Sequence, residues 1–197
     1  MGCCCSRADD EDRVELTGTD TNTAVCCKIG QKSGAVQVSH DDASDSYYVS
    51  GNGTAAGSCT LDCDTACWEV KLGPNPQNIR IGLKRMLKGK DHRLNGQLDD
   101  AHEGQVDSWT LQGYEGKEGD VIGVYWDQTD KPMLFFTVNG KQLDVGAVNR
   151  VCPANDVYPT VSVADGGSCT VTFNENFFAF PPVYRRFGPI ICATSLI

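Results

Sequence analysis

The feature that most constrains the fold of this chain is an alternation of apolar and polar residues in short runs from about residue 35 onward. In the clearest run, Ile79, Ile81 and Leu83 alternate with Arg80 and Gly82. Successive side chains of a β-strand point to opposite faces of the sheet, so a period of two residues predicts strands with one buried face. Six further runs with this pattern, separated by Gly, Asn, Asp and Pro, lie at residues 35–38, 47–49, 68–72, 122–126, 134–138 and 169–173.

One of these runs carries a clear hairpin signal. The strand-like stretch from Leu134 to Val138 is followed by Asn139-Gly140, and both residue types readily adopt the positive φ that a two-residue type I′ turn requires. No segment keeps a helical period over ten or more residues, and the best candidate, residues 84–98, is interrupted by Gly89 and Gly96. We therefore predict an all-β fold of the sandwich type.

Several ordered motifs in this region resemble the SPRY domain family. The upstream motifs are Cys67-Trp68-Glu69-Val70, Ile79-Arg80-Ile81-Gly82-Leu83, Ser108-Trp109 and Gly113. The later motifs are Gly119-Asp120-Val121-Ile122-Gly123-Val124 with Asp127, Phe136 with Asn139-Gly140, Val157-Tyr158-Pro159 and Val171-Thr172-Phe173-Asn174. The stretches Ala35-Val36-Gln37-Val38 and Phe180-Pro181-Pro182 are most similar to one member of the family.

The resemblance covers residues 35–185 and implies a SPRY-type bent antiparallel β-sandwich. It further implies a protein-interaction module that binds a protein or peptide through loops at one face, with no catalysis and no cofactor. The loops at residues 74–78, 84–107 and 128–132 are where we expect the partner to bind, with exposed aromatic side chains as anchors. The residues that we predict to contact a partner are Tyr114, Trp126, Asp130 and His92, although Tyr114 and Trp126 fit the core equally well.

The N-terminal segment, residues 1–24, differs in composition from the rest. Met1-Gly2-Cys3-Cys4-Cys5-Ser6 fits the N-myristoylation pattern, with Gly2 exposed once Met1 is removed. A single myristoyl chain binds membranes only marginally, on the order of 10⁴ M⁻¹, so stable anchoring needs a second signal. The acidic run Asp9-Asp10-Glu11-Asp12 excludes a basic patch, whereas Cys3, Cys4 and Cys5 can carry palmitoyl groups. We predict a lipid anchor and a flexible acidic tether that hold the protein at the cytoplasmic face of a membrane.

The overall composition excludes some classes of protein. Asp and Glu number 26 against 17 Lys and Arg, and this formal net charge of −9 argues against nucleic-acid binding. The count of 11 cysteines is odd and no apolar signal-peptide region follows Cys5, which favours reduced thiols in an intracellular protein. No run of 18 apolar residues exists in the sequence, so no membrane-spanning helix is predicted. We expect a monomer.

The C-terminal tail, residues 186–197, carries one further motif. Ser195-Leu196-Ile197 has the form that PDZ domains bind by strand addition. Ile190, Ile191 and Cys192 could equally dock onto the sandwich.

Two other functions stay open from the sequence. A β-sandwich can bind a carbohydrate or another small ligand, and a pocket rimmed by aromatic and Asn or Asp side chains would favour this alternative. The cysteines could also support a metal-dependent or redox protein, since Cys59, Cys63 and Cys67 would share one face of a helix, but the stretch has no helical pattern. Their surroundings favour strands with small buried thiols, and residues 51–57, although rich in glycine, favour a turn between strands over a phosphate loop. We predict no metal site and no catalytic residue.

Overall fold

The structure is a computed structural model, and it describes residues 25–86, 98, 108–143, 149–152 and 154–192. Regular structure in this part of the chain consists of β-strands and two single-turn 3-10 helices, at Pro76–Asn78 and Glu175–Phe177, without an α-helix. The all-β prediction is confirmed. The strands are β1 (Val25–Cys26), β2 (Ile29–Lys32), β3 (Ala35–Asp41), β4 (Ser46–Gly57), β5 (Thr65–Leu72), β6 (Ile79–Arg85), β7 (Ser108–Thr110), β8 (Val121–Asp127), β9 (Met133–Val138), β10 (Lys141–Gln142), β11 (Asn149–Arg150), β12 (Val157–Val163), β13 (Ser168–Thr172) and β14 (Ile191–Cys192).

The strands form two antiparallel layers that share β4. The first layer contains β3, β13, β5, β8, β9, β10 and β11 together with the first half of β4. The second layer contains β2, β12, β6 and β7 together with the second half of β4. Because one strand belongs to both layers, the hydrogen-bonded path runs without interruption from β10 to β7 and the sandwich is bent.

Gly51 and Gly53 lie where β4 passes from one layer to the other. Their φ values of 95° and 145° are conformations that side chains with a Cβ rarely adopt. The backbone carbonyls of Ala35 and Ser33 also approach these two glycines so closely that a Cβ would not fit. The prediction of a turn between strands at residues 51–57 is therefore wrong, since the glycines bend one continuous strand.

The hairpin at Asn139-Gly140 is confirmed. Both residues have positive φ, 50° and 77°, and Val138 pairs directly with Lys141 across the turn. The Asn139 side chain adds a second function, because its Oδ1 accepts a hydrogen bond from the backbone N–H of Val121 at 2.9 Å. This bond fixes the hairpin to the first residue of β8.

The main core lies between the two layers. Its largest side chains are Trp68, Trp126 and Phe136 from the first layer, which pack with apolar residues of the second layer such as Ile81 and Val161. Complete burial of a large apolar side chain contributes roughly 1.5–3 kcal/mol. The alternating residues that the sequence presents along β5, β6 and β8 thus form one continuous interior.

Residues 174–192, the C-terminal strap, cover the outer face of the first layer. The backbone N–H groups of Ala179 and Phe180 donate to the two carboxylate oxygens of Glu69, at 2.6 and 3.0 Å. Further along, the Gly188 carbonyl accepts a hydrogen bond from the backbone N–H of Cys67 at 2.8 Å. Burial raises the pKa of Glu69, and the two donated hydrogen bonds oppose that rise.

A second apolar cluster holds the strap against the sheet. It consists of Cys67, Tyr125 and Phe135 on the outer face of the sheet and Phe187 on the strap. The rings of Tyr125 and Phe135 stack at 5.0 Å between centroids, and Phe187 meets both of them edge-on. The strap ends in β14, which pairs with β1. Within the described residues, no helix is long and apolar enough to cross a membrane.

Candidate functional site

Part of the predicted site lies outside the described residues, so the predictions for that part remain predictions. This applies to the lipidation residues and to one loop residue: Gly2, Cys3, Cys4, Cys5 and His92. It also applies to most of the 84–107 loop and to the C-terminal Ser195-Leu196-Ile197.

Trp126 is a core residue, which corrects the prediction that it contacts a partner. Its side chain is 0% exposed, and its indole Nε1–H donates to the carbonyl of Cys63 at 3.2 Å. The reason is the strand period, because Trp126 shares the inner face of β8 with Ile122 and Val124. A side chain that anchors a partner would have to lie on the opposite face of the strand.

Tyr114 is half-buried and held by a carboxylate. Its hydroxyl donates to Asp120 Oδ2 at 2.5 Å, and the backbone N–H of Lys117 donates to the same oxygen at 2.8 Å. Asn139 Nδ2 donates to the other oxygen at 2.9 Å. The Tyr114 hydrogen bond, followed by that of Asn139, lowers the pKa of Asp120, while burial and the bond to Asp120 raise the pKa of Tyr114 to about 12. Asp120 thus fixes both the Tyr114 ring and the β9–β10 hairpin.

Tyr114 and the 74–78 loop line one cleft of about 460 Å³, here called the loop-end cleft. Pockets that hold small ligands commonly have volumes of about 300–1,000 Å³. Apolar lining comes from both layers and from the segment before β8: Leu72, Pro76, Ile79, Ile81, Leu111 and Ile122. Polar lining comes from Gln77, Arg80, Tyr114 and Glu115.

Arg80 and Glu115 were not predicted from the sequence. Arg80 is exposed and occupies the polar position between the buried Ile79 and Ile81 of β6. That alternation predicts an outward side chain and says nothing about what the side chain lies beside. Its guanidinium donates to the Gln77 carbonyl at 3.4 Å, which places its charge beside the 74–78 loop.

The 74–78 loop is fixed by the turn between β12 and β13. Asn75 Nδ2 donates to the Gly166 carbonyl at 3.2 Å, and Asn78 Nδ2 donates to the Asp165 carbonyl at 3.3 Å. Asn75 itself has a φ of 50°, in the left-handed region that Asn tolerates better than most residues. The loop-end cleft therefore has a preformed wall.

Asp130 lies far from Tyr114. It is exposed in the turn after β8, whereas Tyr114 and Asp120 precede that strand. β8 contains seven residues, and a strand of that length spans about 20 Å. The structure therefore does not bring Tyr114 and Asp130 into one site.

The loops that we expected to form one face do not all lie at one end of the sandwich, because the 74–78 loop and the 128–132 turn lie at opposite ends. The 74–78 loop precedes β6, and the 84–107 loop follows it. Just after β6, the backbone N–H of Met86 donates to the Asp156 carbonyl at 2.9 Å. The 128–132 turn lies near the same end, because residues 61–64 bond both to Val157 and to Gln128.

A second groove, the sheet-face groove, lies on the outer face of the first layer and measures about 410 Å³. Two of its lining side chains, Tyr48 and Phe177, are among the most exposed large apolar residues described, at 48% and 45%. His40, Asp41 and Lys71 supply polar groups. Aromatic rings beside an Asp are the features that we expect of a carbohydrate site.

The structure also corrects the interpretation of the cysteines between β4 and β5. Residues 59–63 form no strand, and Cys67 packs in the outer aromatic cluster rather than beside Cys59. Cys59 is joined to Cys192 by a disulfide, which differs from the expectation that the thiols are reduced.

The fold is that of a bent, two-layer antiparallel sandwich whose loops and outer face carry two concave surfaces. The SPRY domain family model matches residues 65–176, more than half of the chain. The chain therefore belongs to the SPRY domain family, as the sequence motifs indicated. SPRY domains are protein-interaction modules and are generally non-catalytic.

Among solved structures, the chain is similar to the SPRY domain of human HERC1, with 15% identity and a TM-score of 0.48. That match covers 70% of this chain and 94% of the HERC1 chain. A comparison with curated proteins gave no match. The member that Ala35-Val36-Gln37-Val38 and Phe180-Pro181-Pro182 most resemble is SPRY domain-containing protein 7, but both stretches lie outside the matched residues and the comparisons do not support that likeness.

Proposed function

We propose that this protein is a non-catalytic adaptor that binds a protein partner through the loop-end cleft while a lipid anchor holds it at a membrane. Membership of the SPRY family supports the interaction role. The observation that supports this location is the meeting of Tyr114, Arg80 and the 74–78 loop around one preformed cleft.

The chemistry of the cleft suits an extended peptide. Its apolar lining can accept one aliphatic or aromatic side chain, and burial of such a side chain supplies most of the binding energy. Arg80 at the side of the cleft favours an acidic group near that side chain, because a guanidinium binds a carboxylate through two hydrogen bonds. The lining includes a single aromatic residue and no Asn or Asp, so a carbohydrate fits this cleft less well.

A peptide selection with matched charge reversals tests the location. Peptides are selected from a display library on the full chain, and their affinities are then measured for Arg80→Glu and for Lys71→Glu in the sheet-face groove. We expect Arg80→Glu to weaken binding by at least about tenfold, or about 1.4 kcal/mol, with Lys71→Glu close to wild type. The reverse pattern would move the binding site to the sheet-face groove.

The membrane part of the proposal rests on the sequence of residues 1–6. Gly2 would accept a myristoyl group and Cys3, Cys4 and Cys5 palmitoyl groups, which together provide the two signals that stable anchoring needs. Two attachments on one chain raise the local concentration of the partner at the cytoplasmic face of the membrane.

Metabolic labelling with alkyne analogues of both fatty acids tests the anchor. We expect Gly2→Ala to lose both labels and to leave the membrane fraction. A variant with Ser at positions 3, 4 and 5 should keep the myristoyl label and still become largely soluble, because one chain binds only marginally. A Gly2→Ala protein that stays on membranes would contradict the anchor.

A second candidate function, binding of a carbohydrate or another small ligand, rests on the sheet-face groove. The exposed rings of Tyr48 and Phe177 give it stacking surfaces, and Asp41 gives it a hydrogen-bond acceptor. A glycan array separates the two candidates. Binding that disappears in Tyr48→Ala and Phe177→Ala, but not in Arg80→Glu, would favour the carbohydrate.

A further inference from the structure

Three cysteine sulfur atoms meet where the two ends of the described chain come together. The Sγ atoms of Cys27, Cys59 and Cys192 all lie within 4.8 Å of one another. Cys27 follows β1, Cys59 follows β4 and Cys192 lies in β14. Since Cys59 and Cys192 are 133 residues apart in sequence, no local spacing motif predicts this cluster.

Backbone hydrogen bonds place all three cysteines independently of their sulfur chemistry. The Cys27 N–H donates to the Ile190 carbonyl at 2.8 Å, and the Ser58 N–H donates to the Lys28 carbonyl at 2.7 Å. The β1–β14 ladder holds Cys192 opposite Val25. The three thiols therefore stay together when the disulfide between Cys59 and Cys192 is reduced.

The cluster has the composition of a thiolate metal site. In the disulfide form, Cys27 is a third thiol, 2% exposed, with no part in the covalent bond. The Ser58 hydroxyl lies 3.9 Å from Cys27 Sγ and 3.6 Å from Cys192 Sγ, and it adds a polar group beside two of the sulfurs. Cys59 and Cys192 are partly exposed, so a cation can reach the cluster from solvent.

The distances suit zinc. With Zn–S bonds of about 2.3 Å in a tetrahedral arrangement, the sulfurs of one site lie about 3.8 Å apart. Reduction of the disulfide frees the Cys59 and Cys192 sulfurs to move apart to that separation, and Cys27 Sγ, within 4.8 Å of both, needs at most a small inward shift. Three protein ligands leave the fourth position for water, which the Ser58 hydroxyl can orient.

We propose that the reduced protein binds one Zn²⁺ through the thiolates of Cys27, Cys59 and Cys192, with a water molecule beside Ser58 as the fourth ligand. A thiol reductant first supplies two electrons and two protons to the disulfide. Zinc binding then breaks three S–H bonds, forms three Zn–S bonds and releases three protons, with no change in the oxidation state of zinc. The metal joins the β1 end of the domain, next to the predicted tether, to β4 and to the strap.

The test uses the full chain, stripped of metal and kept reduced with a phosphine, and titrated with Zn²⁺ against a chromophoric chelator. We expect one zinc per chain at this site. We also expect zinc to protect Cys27, Cys59 and Cys192 from alkylation, as read by mass spectrometry. The exposed Cys152 is the internal control and should react equally with and without zinc.

The variant Cys27→Ser distinguishes a zinc site from a disulfide alone, because Cys27 is not part of the disulfide. We expect this variant to lose zinc affinity by at least about a hundredfold, since loss of even an outer-shell partner costs about 10–100-fold. Under oxidising conditions it should still form the Cys59–Cys192 bond, and that retained bond shows that the variant has folded. Cys152→Ser should bind zinc like wild type.

A variant with Ser at positions 3, 4 and 5 should also keep the zinc, which distinguishes the cluster from the N-terminal cysteines. Absence of zinc protection at Cys27, unchanged affinity in Cys27→Ser, or loss of binding only in the N-terminal variant would each overturn the proposal and leave a disulfide at this position.

Discussion

The two ends of β8 each carry an aspartate, and the two carboxylates hold their surroundings in different ways. Asp120, just before the strand, accepts hydrogen bonds from neutral donors: the Tyr114 hydroxyl, the Lys117 N–H and the Asn139 amide. Asp127, the last residue of the strand, bonds to Thr129 in its own turn and to the guanidinium of Arg186 on the strap, at 2.5 Å.

The difference decides what each end can do. All of the donors to Asp120 lie within 20 residues of it, and together they fix the loop-end cleft through neutral hydrogen-bond donors. The ion pair of Asp127 joins the sheet to a segment 59 residues away, between side chains that are partly exposed, and salt screens such a pair. The first end is therefore suited to a preformed binding surface, whereas the ion pair at the second end is one of several contacts that hold the strap.

The largest effect on stability is expected for Asp120→Ala. It leaves the Tyr114 hydroxyl, the Lys117 N–H and the Asn139 amide without their acceptor, and hydrogen bonds to charged groups contribute about 1.5–3 kcal/mol each when well shielded. Because Asp120 is partly exposed, we expect a total loss of about 2–3 kcal/mol in the free energy of unfolding, measured with urea. A loss no larger than that of Asp130→Ala, an exposed control in the opposite turn, would contradict the assigned role.

Tyr114→Phe removes one donor to Asp120 and keeps the aromatic ring. We expect a loss of about 1 kcal/mol in the free energy of unfolding, because a single hydrogen bond is lost and the apolar lining of the cleft is retained. Peptide binding at the cleft should weaken less than in Arg80→Glu. Equal losses in Tyr114→Phe and Asp120→Ala would mean that the Tyr114 hydroxyl carries the whole interaction.

The parts of the structure that depend on neighbours in sequence could be predicted. The strand period gives the layers of the sandwich, and Asn139-Gly140 gives a hairpin because both turn residues tolerate positive φ. The same period already placed Trp126 on the inner face with Ile122 and Val124, so its burial could have been inferred from the sequence alone. Tyr114, which we predicted either to contact a partner or to lie in the core, lines the loop-end cleft, but the sequence could not show which loop faces it.

The parts that depend on distant segments could not be predicted. A run of glycines predicts a turn or a bend equally well, and only the pairing of β4 with both β13 and β12, more than 100 residues away, decides for the bend. Arg80 enters the cleft because the 74–78 loop packs beside Tyr114, and Cys59 meets Cys192 because β14 returns to β1. None of these relations leaves a local pattern in the sequence.

Stability measurements at acidic pH test whether Asp120 acts as an ionised hydrogen-bond acceptor. Hydrogen bonds from Tyr114 and then Asn139 lower its pKa in the folded protein, so its contribution is complete above the pKa of the unfolded chain and is lost as the pH falls through the folded pKa. We expect the difference in unfolding free energy between wild type and Asp120→Asn to be largest near about pH 7 and to shrink toward about pH 3. Urea titrations at several pH values measure it, and a difference that stays constant would indicate that the charge of Asp120 is unimportant.

The smallest effect is expected at the other end of β8, in Arg186→Ala. Although burial tends to raise the pKa of Asp127, the hydrogen bonds from Thr129 and the charge of Arg186 outweigh it and lower that pKa. Arg186 is more than half exposed, so we expect a loss below about 1 kcal/mol in the free energy of unfolding. The loss should shrink further in about 1 M salt, where the screening length is about 3 Å, whereas the effect of Asp120→Ala should change little. A salt-independent loss in Arg186→Ala would show that the guanidinium acts by packing over the rings of Tyr184 and Phe187, at 5.9 and 5.1 Å, and not through its charge pair with Asp127.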